Sequence, residues 1–405
     1  MTFNINQRIV LEHDVDVPAL KESLGCLMTL HESLRTGFEN REGKPCQIVT
    51  KKEGMPYNYV DISSLQNEEK ERKRLQIYEK ECGTPFDLFH PPLFRALLVK
   101  VNDRLYDLIF NIHHIVSDGW SMEILKRDFI DIYESRRNGL PVRLPARHLQ
   151  YKDFAEWQDK ELNNDTLKES AQRYWKKKIS AGFPVLKLPF DFTGDTSDGG
   201  AGYRMMLGKD IHRGLGQLAA DNQTTLFMIM FSAYTIILSL LSGQKEIACN
   251  IISAGRDHIS IQDVVGYFVS SLIVRHDVDP KEKFDDFLQR VNENMLEAFQ
   301  HQAYPLELVL DELKMVYPQV ATAFNMFNLR QEGSVKTVRE NVKPAHIENV
   351  SNVKFDLIMF VTEYDNSLEV LLNYKKSLFK PGTIEMLAEG YRRLLKDIAR
   401  IEEAE

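Results

Sequence analysis

Residues 111–120 read NIHHIVSDGW, and the skeleton HHxxxDG within this stretch is the strongest local signal in the chain. At average residue frequencies, its four fixed positions occur together by chance in on the order of one chain per thousand. An alternating apolar run, 105–112, precedes it and predicts a strand. An amphipathic run, 120–137, follows it and predicts a helix. The motif is therefore expected on a loop between a strand and a helix, a position where active sites are common.

His114 is the candidate catalytic residue of this loop. A histidine titrates near neutral pH, so a neutral imidazole can accept a proton from an amine or hydroxyl nucleophile. Neighbouring side chains on an extended segment point in opposite directions, so only one of the two histidines can face a cleft. We assign the base or positioning role to His114 and a structural role to His113.

Gly119 and Asp118 are expected to shape the loop. Gly119 permits a tight backbone path and close approach of a substrate. Backbone N–H groups at the start of the following helix are available to a tetrahedral oxyanion. Asp118 can pair with an arginine elsewhere in the chain, or it can cap the helix. We favour a structural salt bridge over direct proton transfer by Asp118.

The length and patterning predict two domains. A chain of 405 residues is too long for one ordinary core. Strand and helix patterns mix on both sides of a stretch rich in Gly, Asp, Ser and Thr, 193–202, which predicts two αβ domains with a cleft between them. The longest apolar run, 227–241, is interrupted by Ser232, Thr235 and Ser239, which favours a buried core helix over a membrane span.

The composition limits the classes of function. A net charge of −8 argues against a general nucleic-acid binder, which would carry a basic face. The N-terminus shows no basic start followed by an apolar core, so we expect no signal peptide and a cytoplasmic location. No CxxC pair occurs, which argues against a zinc site. Four cysteines are expected to be free thiols in a reducing cytosol: Cys26, Cys46, Cys82 and Cys249.

With HHxxxDG as its mark, the chain resembles the chloramphenicol acetyltransferase-like superfamily, and within it the condensation domains of nonribosomal peptide synthetases. Other segments resemble the condensation branch and follow one another in that family's order. Residues 31–36 are similar to RHExLRT, 151–158 to YxDFAxWQ, and 265–271 to GxFVNT, with Ser270 in place of Asn. The remaining similar segments are 86–88, 92–95, 255–256 and 301–307. The resemblance spans nearly the whole chain.

The resemblance implies an α/β (α+β) fold of two chloramphenicol acetyltransferase-like lobes, arranged as a V around a central tunnel. The first lobe would be 1–178, carrying HHxxxDG, and the second 179–405. The implied reaction is amide (peptide) bond formation between a donor acyl or peptidyl thioester and an acceptor aminoacyl thioester, in antibiotic or siderophore biosynthesis. Both thioesters would be tethered to carrier proteins by phosphopantetheine, so the chain itself is expected to bind no cofactor and no metal.

The implied partners are donor and acceptor peptidyl carrier protein domains and adjacent synthetase modules. No nucleic acid and no membrane are expected, and the chain is expected to be a monomer. The N-terminal helix that opens the family's pattern is not evident ahead of the first predicted strand, 5–12. Carrier, adenylation and thioesterase domains are likewise not evident.

The resemblance also extends the set of candidate site residues. Arg275 is the first candidate partner of Asp118, and Arg35 is the second. Tyr151 and Trp157 are expected to pack a hinge between the lobes. The full set of tunnel or hinge candidates is Trp120, Ser121, Tyr151, Trp157 and Asn328.

Four other functions remain open. An epimerization domain shares the fold and HHxxxDG but moves a proton at an α-carbon; the run DGWSM at 118–122 favours condensation instead. A heterocyclization domain is disfavoured because it replaces both histidines with acidic residues. Another HHxxxDG acyltransferase could transfer to a soluble alcohol or amine. A non-catalytic docking module would only bind carrier proteins, and the intact His113, His114 and Asp118 argue against it.

Overall fold

The computed structural model describes residues 3–51, 56–142, 149–180, 182–193, 199–316, 318–328, 345–350 and 353–400. The chain divides into two compact units. Unit 1 comprises Met1–Asn164 and Ala254–Val269, and unit 2 comprises Asp165–Ser253 and Ser270–Glu405. Both units mix helices and strands, which confirms the α/β class. The V around a central tunnel stays a prediction.

The two units differ in two places from the predicted lobes, 1–178 and 179–405. Helix Asp165–Ser180 belongs to unit 2, where its polar side chains bond Glu312. Residues Ala254–Val269, here called the inserted segment, belong to unit 1, although the chain enters and leaves them through strands of unit 2. The assignment of the lobes as acetyltransferase-like repeats stays a prediction.

Unit 1 is built on a four-stranded sheet with helices on both faces. Its sheet has the order β1-β6-β5-β4, in which only β4 and β5 run parallel. The first and third helices share one apolar cluster with the sheet, and the second helix covers the other face. The elements are β1 (Asn4–Leu11), α1 (Val17–Leu30), β2 (Thr36–Arg41), β3 (Lys44–Val49), β4 (Tyr57–Asp61), α2 (Asn67–Gly83), β5 (Phe94–Asn102), β6 (Leu105–His113), α3 (Gly119–Arg137) and α4 (Tyr151–Leu162).

The predicted strand and helix around the motif are confirmed to within one residue by β6 and α3. β6 pairs with β1 and β5, and its central residues are buried. α3 begins at Gly119 because the Asp118 side chain accepts a hydrogen bond from the Ser121 backbone and so caps the first turn. Arg136 and Arg137 lie in its last turn, where positive charge suits the helix dipole.

Unit 2 contains a seven-stranded mixed sheet. The strand order is β11-β7-β13-β12-β10-β8-β9, with β10 parallel to both of its neighbours. The elements are α5 (Asp165–Ser180), β7 (Gly200–Leu207), α6 (Lys209–Asp221), α7 (Leu226–Ser242), β8 (Glu246–Ser253), β9 (Ser270–Asp277), α8 (Phe284–Gln300), α9 (Leu306–Leu313), β10 (Thr322–Asn328), β11 (Ala345–Val350), β12 (Leu357–Tyr364), β13 (Ser367–Lys375) and α10 (Pro381–Ile398).

The apolar run predicted as a core helix forms α7, and most of its residues are buried within the fold. In the described part of the chain, no single helix has the length and apolarity of a membrane span. Helices α6 and α7 reach that length and composition only as a pair bent by 105°.

His276 is a buried histidine in the core of unit 2. It lies on β9, is 1% exposed, and its ring meets the Phe231 ring edge-on at a centroid distance of 5.5 Å. Neither ring nitrogen has a hydrogen-bond partner among the described residues. Burial, followed by the positive charges of Arg290 and Lys178, lowers the pKa of His276 from 6.5 to about 3. The ring is therefore neutral in the folded chain at neutral pH.

We expect His276 to weaken the fold in mild acid. Below pH 6.5 the unfolded chain takes up a proton at this ring and the folded chain does not, so unfolding becomes easier until about pH 3. Relative to its value at pH 8, the unfolding free energy of the wild type should fall at pH 5 by about 2 kcal/mol more than that of His276→Leu. Urea unfolding of both proteins at both pH values measures this difference. A pH-independent gap between them would contradict the prediction.

Candidate active site

The end of β6 holds the two histidines of the motif. The His113 N–H donates to the Leu93 carbonyl at 3.0 Å, which continues the sheet pairing. The His114 N–H donates to the Phe3 carbonyl at 2.7 Å. Immediately after the strand, His114–Val116 forms a single 3₁₀ turn. The backbone of both histidines is thus held by neighbouring chain before the loop reaches α3.

A hydrogen bond determines which ring nitrogen of His114 carries the proton. Its Nδ1 lies 2.9 Å from the backbone carbonyl oxygen of Ser117. Because a carbonyl can only accept a hydrogen bond, Nδ1 must carry the proton. In the neutral ring this leaves the lone pair on Nε2, the nitrogen that can accept a proton. The side chain is half-buried, so the ring is not sealed inside the core.

His113 has a structural environment. Its Nδ1 accepts a hydrogen bond from the Ile115 N–H at 3.1 Å, which shapes the 3₁₀ turn. Its ring meets Phe86 edge-on with centroids 6.3 Å apart. Burial, and then the neighbouring His114, lowers the pKa of His113 below its usual value. The two adjacent imidazoles therefore differ in their surroundings, and the reactive role of His114 stays a prediction.

Asp118 is both a helix cap and one half of a salt bridge. Its Oδ1 accepts from the Ser121 N–H at 2.7 Å, and its Oδ2 accepts from the Phe268 N–H at 3.0 Å. The guanidinium of Arg256 donates to both oxygens, at 3.3 and 3.4 Å. All these groups are buried. The two structural roles considered from the sequence are thus combined in one side chain.

The predicted arginine partners of Asp118 are wrong. Arg275 bonds the Gly182 carbonyl at 3.0 Å and Glu246 at 3.4 Å, within unit 2. Arg35 bonds the Thr50 carbonyl at 2.8 Å and Glu32 at 3.2 Å. The partner is Arg256, because the inserted segment packs against the start of α3.

The sequence did contain a signal for Arg256. The pair Gly255–Arg256 matches one of the family's segments, although no role was assigned to it. Gly255 has a φ of +62°, and a Cβ at this position would lie 2.0 Å from the Phe268 carbonyl oxygen. A glycine is therefore required there so that the next residue can reach Asp118.

Arg256 is buried among several acceptors as well as Asp118. It donates to the carbonyls of Ile261 and Val264, each at 2.7 Å, and to Ser121 Oγ at 2.8 Å. Its guanidinium carbon lies 4.0 Å from the centre of the Phe268 ring. Burial lowers the pKa of Arg256, and the Asp118 carboxylate opposes that change. A guanidinium nonetheless stays charged in proteins, so the ion pair is retained.

The side chains of Ser121 and Tyr151 form hydrogen bonds with the backbone of the inserted segment. Ser121 Oγ accepts from the Gly266 N–H at 3.1 Å and donates to the Gly266 carbonyl at 2.9 Å. The Tyr151 hydroxyl donates to the Tyr267 carbonyl at 2.6 Å. A Cβ at Gly266 would lie 2.0 Å from the Tyr151 ring, so only glycine allows this approach.

The other tunnel or hinge candidates differ in their surroundings. Trp120 donates from Nε1 to the Gln262 carbonyl at 2.9 Å and is 44% exposed. Trp157 is 54% exposed, and its ring lies 5.6 Å from the Phe154 ring, centroid to centroid. Asn328 ends β10, and its side chain lies outside what the structure describes. Their roles in a tunnel or hinge stay predictions.

Gly119 is the first residue of α3, so its backbone N–H lies at the positive end of the helix dipole. It does not adopt a positive φ. The tight path inferred from the sequence therefore does not depend on a left-handed glycine at this position. Close approach of a substrate to Gly119 stays a prediction.

Tyr267 is the residue that reasoning from the sequence missed. Its ring meets the His114 ring edge-on, at a centroid distance of 5.2 Å and an interplanar angle of 72°. It occupies the variable position between Gly266 and Phe268 of the GxFVNT-like segment. No spacing rule connects this position to His114, so only the fold reveals the contact.

Across the described ranges, no group of three or more His, Cys, Asp or Glu side chains could hold a metal ion.

Comparison with known proteins identifies the family. The family model described as "Condensation domain" matches residues 2–404, so the chain belongs to that family. It is 34% identical over 98% of its length to part of the linear gramicidin synthase of Brevibacillus parabrevis. It is 33% identical, again over 98%, to part of the plipastatin synthase of Bacillus subtilis (strain 168). These matches confirm the resemblance to nonribosomal peptide synthetase condensation domains.

The chain corresponds to a small part of these relatives and shares a fold with several solved structures. It spans 5% of the matched gramicidin synthase polypeptide and 11% of the matched plipastatin synthase polypeptide. Its structure is similar to the epimerization domain from the third module of tyrocidine synthetase B, with a TM-score of 0.81 at 20% identity. That match covers 98% of this chain and 91% of the other chain, and it concerns the fold alone.

We expect Asp118→Ala to destabilise the fold by about 3 to 5 kcal/mol, because the Arg256 charge stays buried without its partner. Two backbone N–H groups also lose their acceptor. A matched control is Asp210→Ala, which removes the same residue type from an ion pair whose two side chains are 73% and 75% exposed. That control should cost less than about 1 kcal/mol. Urea unfolding of the three proteins provides the comparison; similar losses in both variants would contradict the role of the buried pair.

Proposed function

We propose that the chain catalyses amide bond formation between a donor acyl or peptidyl thioester and an acceptor aminoacyl thioester. Both substrates are tethered by phosphopantetheine arms to carrier protein domains, so the chain itself supplies no cofactor. The observation that carries the proposal is the hydrogen bond from His114 Nδ1–H to the Ser117 carbonyl. It leaves Nε2 as the only basic nitrogen of that ring, on a half-buried side chain.

The reaction forms one carbon–nitrogen bond and breaks one carbon–sulfur bond. The acceptor amine attacks the donor carbonyl carbon, and the carbonyl oxygen takes up negative charge. In the proposed sequence, Nε2 of His114 orients the amine and accepts one of its protons. Collapse of the tetrahedral intermediate releases the thiolate of the donor arm, which takes up that proton from His114. The products are an amide on the acceptor arm and a free thiol on the donor arm.

The remaining catalytic demand is modest because a thioester is already activated. Holding two tethered reactants in place supplies much of the acceleration. The Gly119 N–H, at the start of α3, is the proposed donor to the developing oxyanion. In the proposed mechanism Asp118 transfers no proton, because its oxygens accept hydrogen bonds from Arg256, Ser121 and Phe268.

The relatives are long synthetase polypeptides, so we infer that the partners are donor and acceptor carrier domains and adjacent modules. We also infer a cytoplasmic location and a monomeric chain without nucleic-acid or membrane partners.

A second candidate is epimerization at the α-carbon of a carrier-bound residue. The fold is compatible with it, because the tyrocidine synthetase epimerization domain has a similar fold at a TM-score of 0.81. The two functions differ in product, because epimerization changes the configuration of one thioester and joins nothing.

We expect His114→Ala to lower amide formation at least about 100-fold, since general base catalysis contributes a factor of this order. The chain is mixed with two carrier domains loaded with different aminoacyl groups, and intact mass shows which carrier gains the amide. The matched control is His90→Ala, which removes a histidine whose side chain is 81% exposed. Its turnover should equal that of the wild type.

Each of the other outcomes of this assay would contradict the proposal or favour a different function. Unchanged turnover by His114→Ala would contradict the role of His114. An inverted α-carbon without amide would favour epimerization, and binding of both carriers without either product would favour a docking module. Transfer to a soluble amine or alcohol would favour another acyltransferase.

A further inference from the structure

Tyr267 contacts the proposed base from a different part of the chain. It lies in the inserted segment, 153 positions after His114 along the sequence, and its ring meets the imidazole edge-on at 5.2 Å. It is 42% exposed, whereas its neighbours Val265 and Phe268 are buried. The side chain of Tyr267 therefore stays at the surface of unit 1, next to the half-buried His114.

The backbone around Tyr267 is fixed at three consecutive residues. Gly266 exchanges two hydrogen bonds with Ser121 Oγ. The Tyr267 carbonyl accepts from the Tyr151 hydroxyl at 2.6 Å, and the Phe268 N–H donates to Asp118 at 3.0 Å. Because each anchor is a side chain of α4 or of the start of α3, the backbone that carries the Tyr267 ring cannot shift without breaking these bonds.

One hydrogen bond alone does not fix an imidazole. The terminal torsion of a histidine has broad, roughly two-fold minima, so the ring can rotate and exchange Nδ1 for a carbon atom. The bond from Nδ1 to the Ser117 carbonyl favours one orientation. A second ring packed edge-on adds a contact worth about 0.5 to 1.5 kcal/mol, which the imidazole has to give up in order to rotate.

We propose that Tyr267 is a positioning residue that, with the Ser117 carbonyl, keeps His114 in its Nδ1–H form with Nε2 presented to the substrate. Asp118 acts on His114 through this ring, since it fixes the backbone at Phe268. The consequence for catalysis rests on the proposed function, whereas the orientation of the imidazole does not.

The orientation is tested by ¹⁵N NMR of the chain without substrates. The His114 signals are assigned as those lost in His114→Ala. At a pH where the ring is neutral, the wild type should show Nδ1–H alone. Tyr267→Leu should show a mixture of the Nδ1–H and Nε2–H forms, and Tyr267→Phe should restore the wild-type pattern, because it keeps the ring. Tyr59→Leu is the matched control, since Tyr59 is 44% exposed and lies on β4.

The catalytic consequence is measured by turnover of loaded carriers. Tyr267→Leu should lower kcat about tenfold, as expected for a misplaced reacting group, with KM changed less than twofold. A structural role alone would change neither the tautomer nor the split between kcat and KM. Thermal unfolding checks that each variant is folded, and Tyr267→Met replaces the leucine variant if that one does not fold.

The outcomes separate the two proposals. A single Nδ1–H form in Tyr267→Leu, or in Tyr267→Met where that variant takes its place, would overturn the positioning role, whatever the activity. Loss of that form in Tyr267→Phe would also overturn it, because the hydroxyl and not the ring would then be required. A mixed tautomer in Tyr267→Leu together with full activity of His114→Ala would support the positioning role and sink the proposed function instead.

Discussion

The candidate site depends on one buried ion pair, between Asp118 and Arg256. Both side chains are 1% exposed, so their charges have left water at a cost of several kcal/mol each. The fold offsets this cost by giving each group further hydrogen-bond partners: two backbone N–H groups for the carboxylate, and two carbonyls and a hydroxyl for the guanidinium. The carboxylate and the guanidinium meet only when the inserted segment lies against the start of α3.

This ion pair gives Asp118 a structural role in the loop that follows the two histidines. The carboxylate caps the start of α3, directly after Ser117, whose carbonyl oxygen lies 2.9 Å from His114 Nδ1. The same carboxylate accepts from the Phe268 N–H, next to Tyr267, whose ring meets the His114 ring edge-on. The two groups that contact the His114 ring, the Ser117 carbonyl and the Tyr267 ring, thus both depend on the Asp118–Arg256 ion pair.

The sequence predicted the secondary structure around the motif, but it did not predict contacts between residues that are far apart along the chain. The strand, the loop and the start of α3 follow from periodicity and from a short motif. The partner of Asp118 could not be derived in this way, because several arginines were available and no spacing rule chooses among residues more than a hundred positions apart. The motif Gly255–Arg256 was visible, but its purpose depends on a left-handed glycine. The bounds of the two compact units differ from the predicted lobes for a similar reason, since composition does not reveal that a segment returns to an earlier unit.

Unit 1 is discontinuous along the chain, and this has a consequence for synthesis on the ribosome. The Asp118–Arg256 and Ser33–Val265 contacts join residues separated by 138 and 232 positions. The first 164 residues emerge without the guanidinium that Asp118 needs, and all of 165–253 must follow before it arrives. Non-local contacts of this kind slow folding. A gene fragment ending at 164 therefore encodes neither the counter-ion of Asp118 nor Val265, which belongs to the apolar core of unit 1.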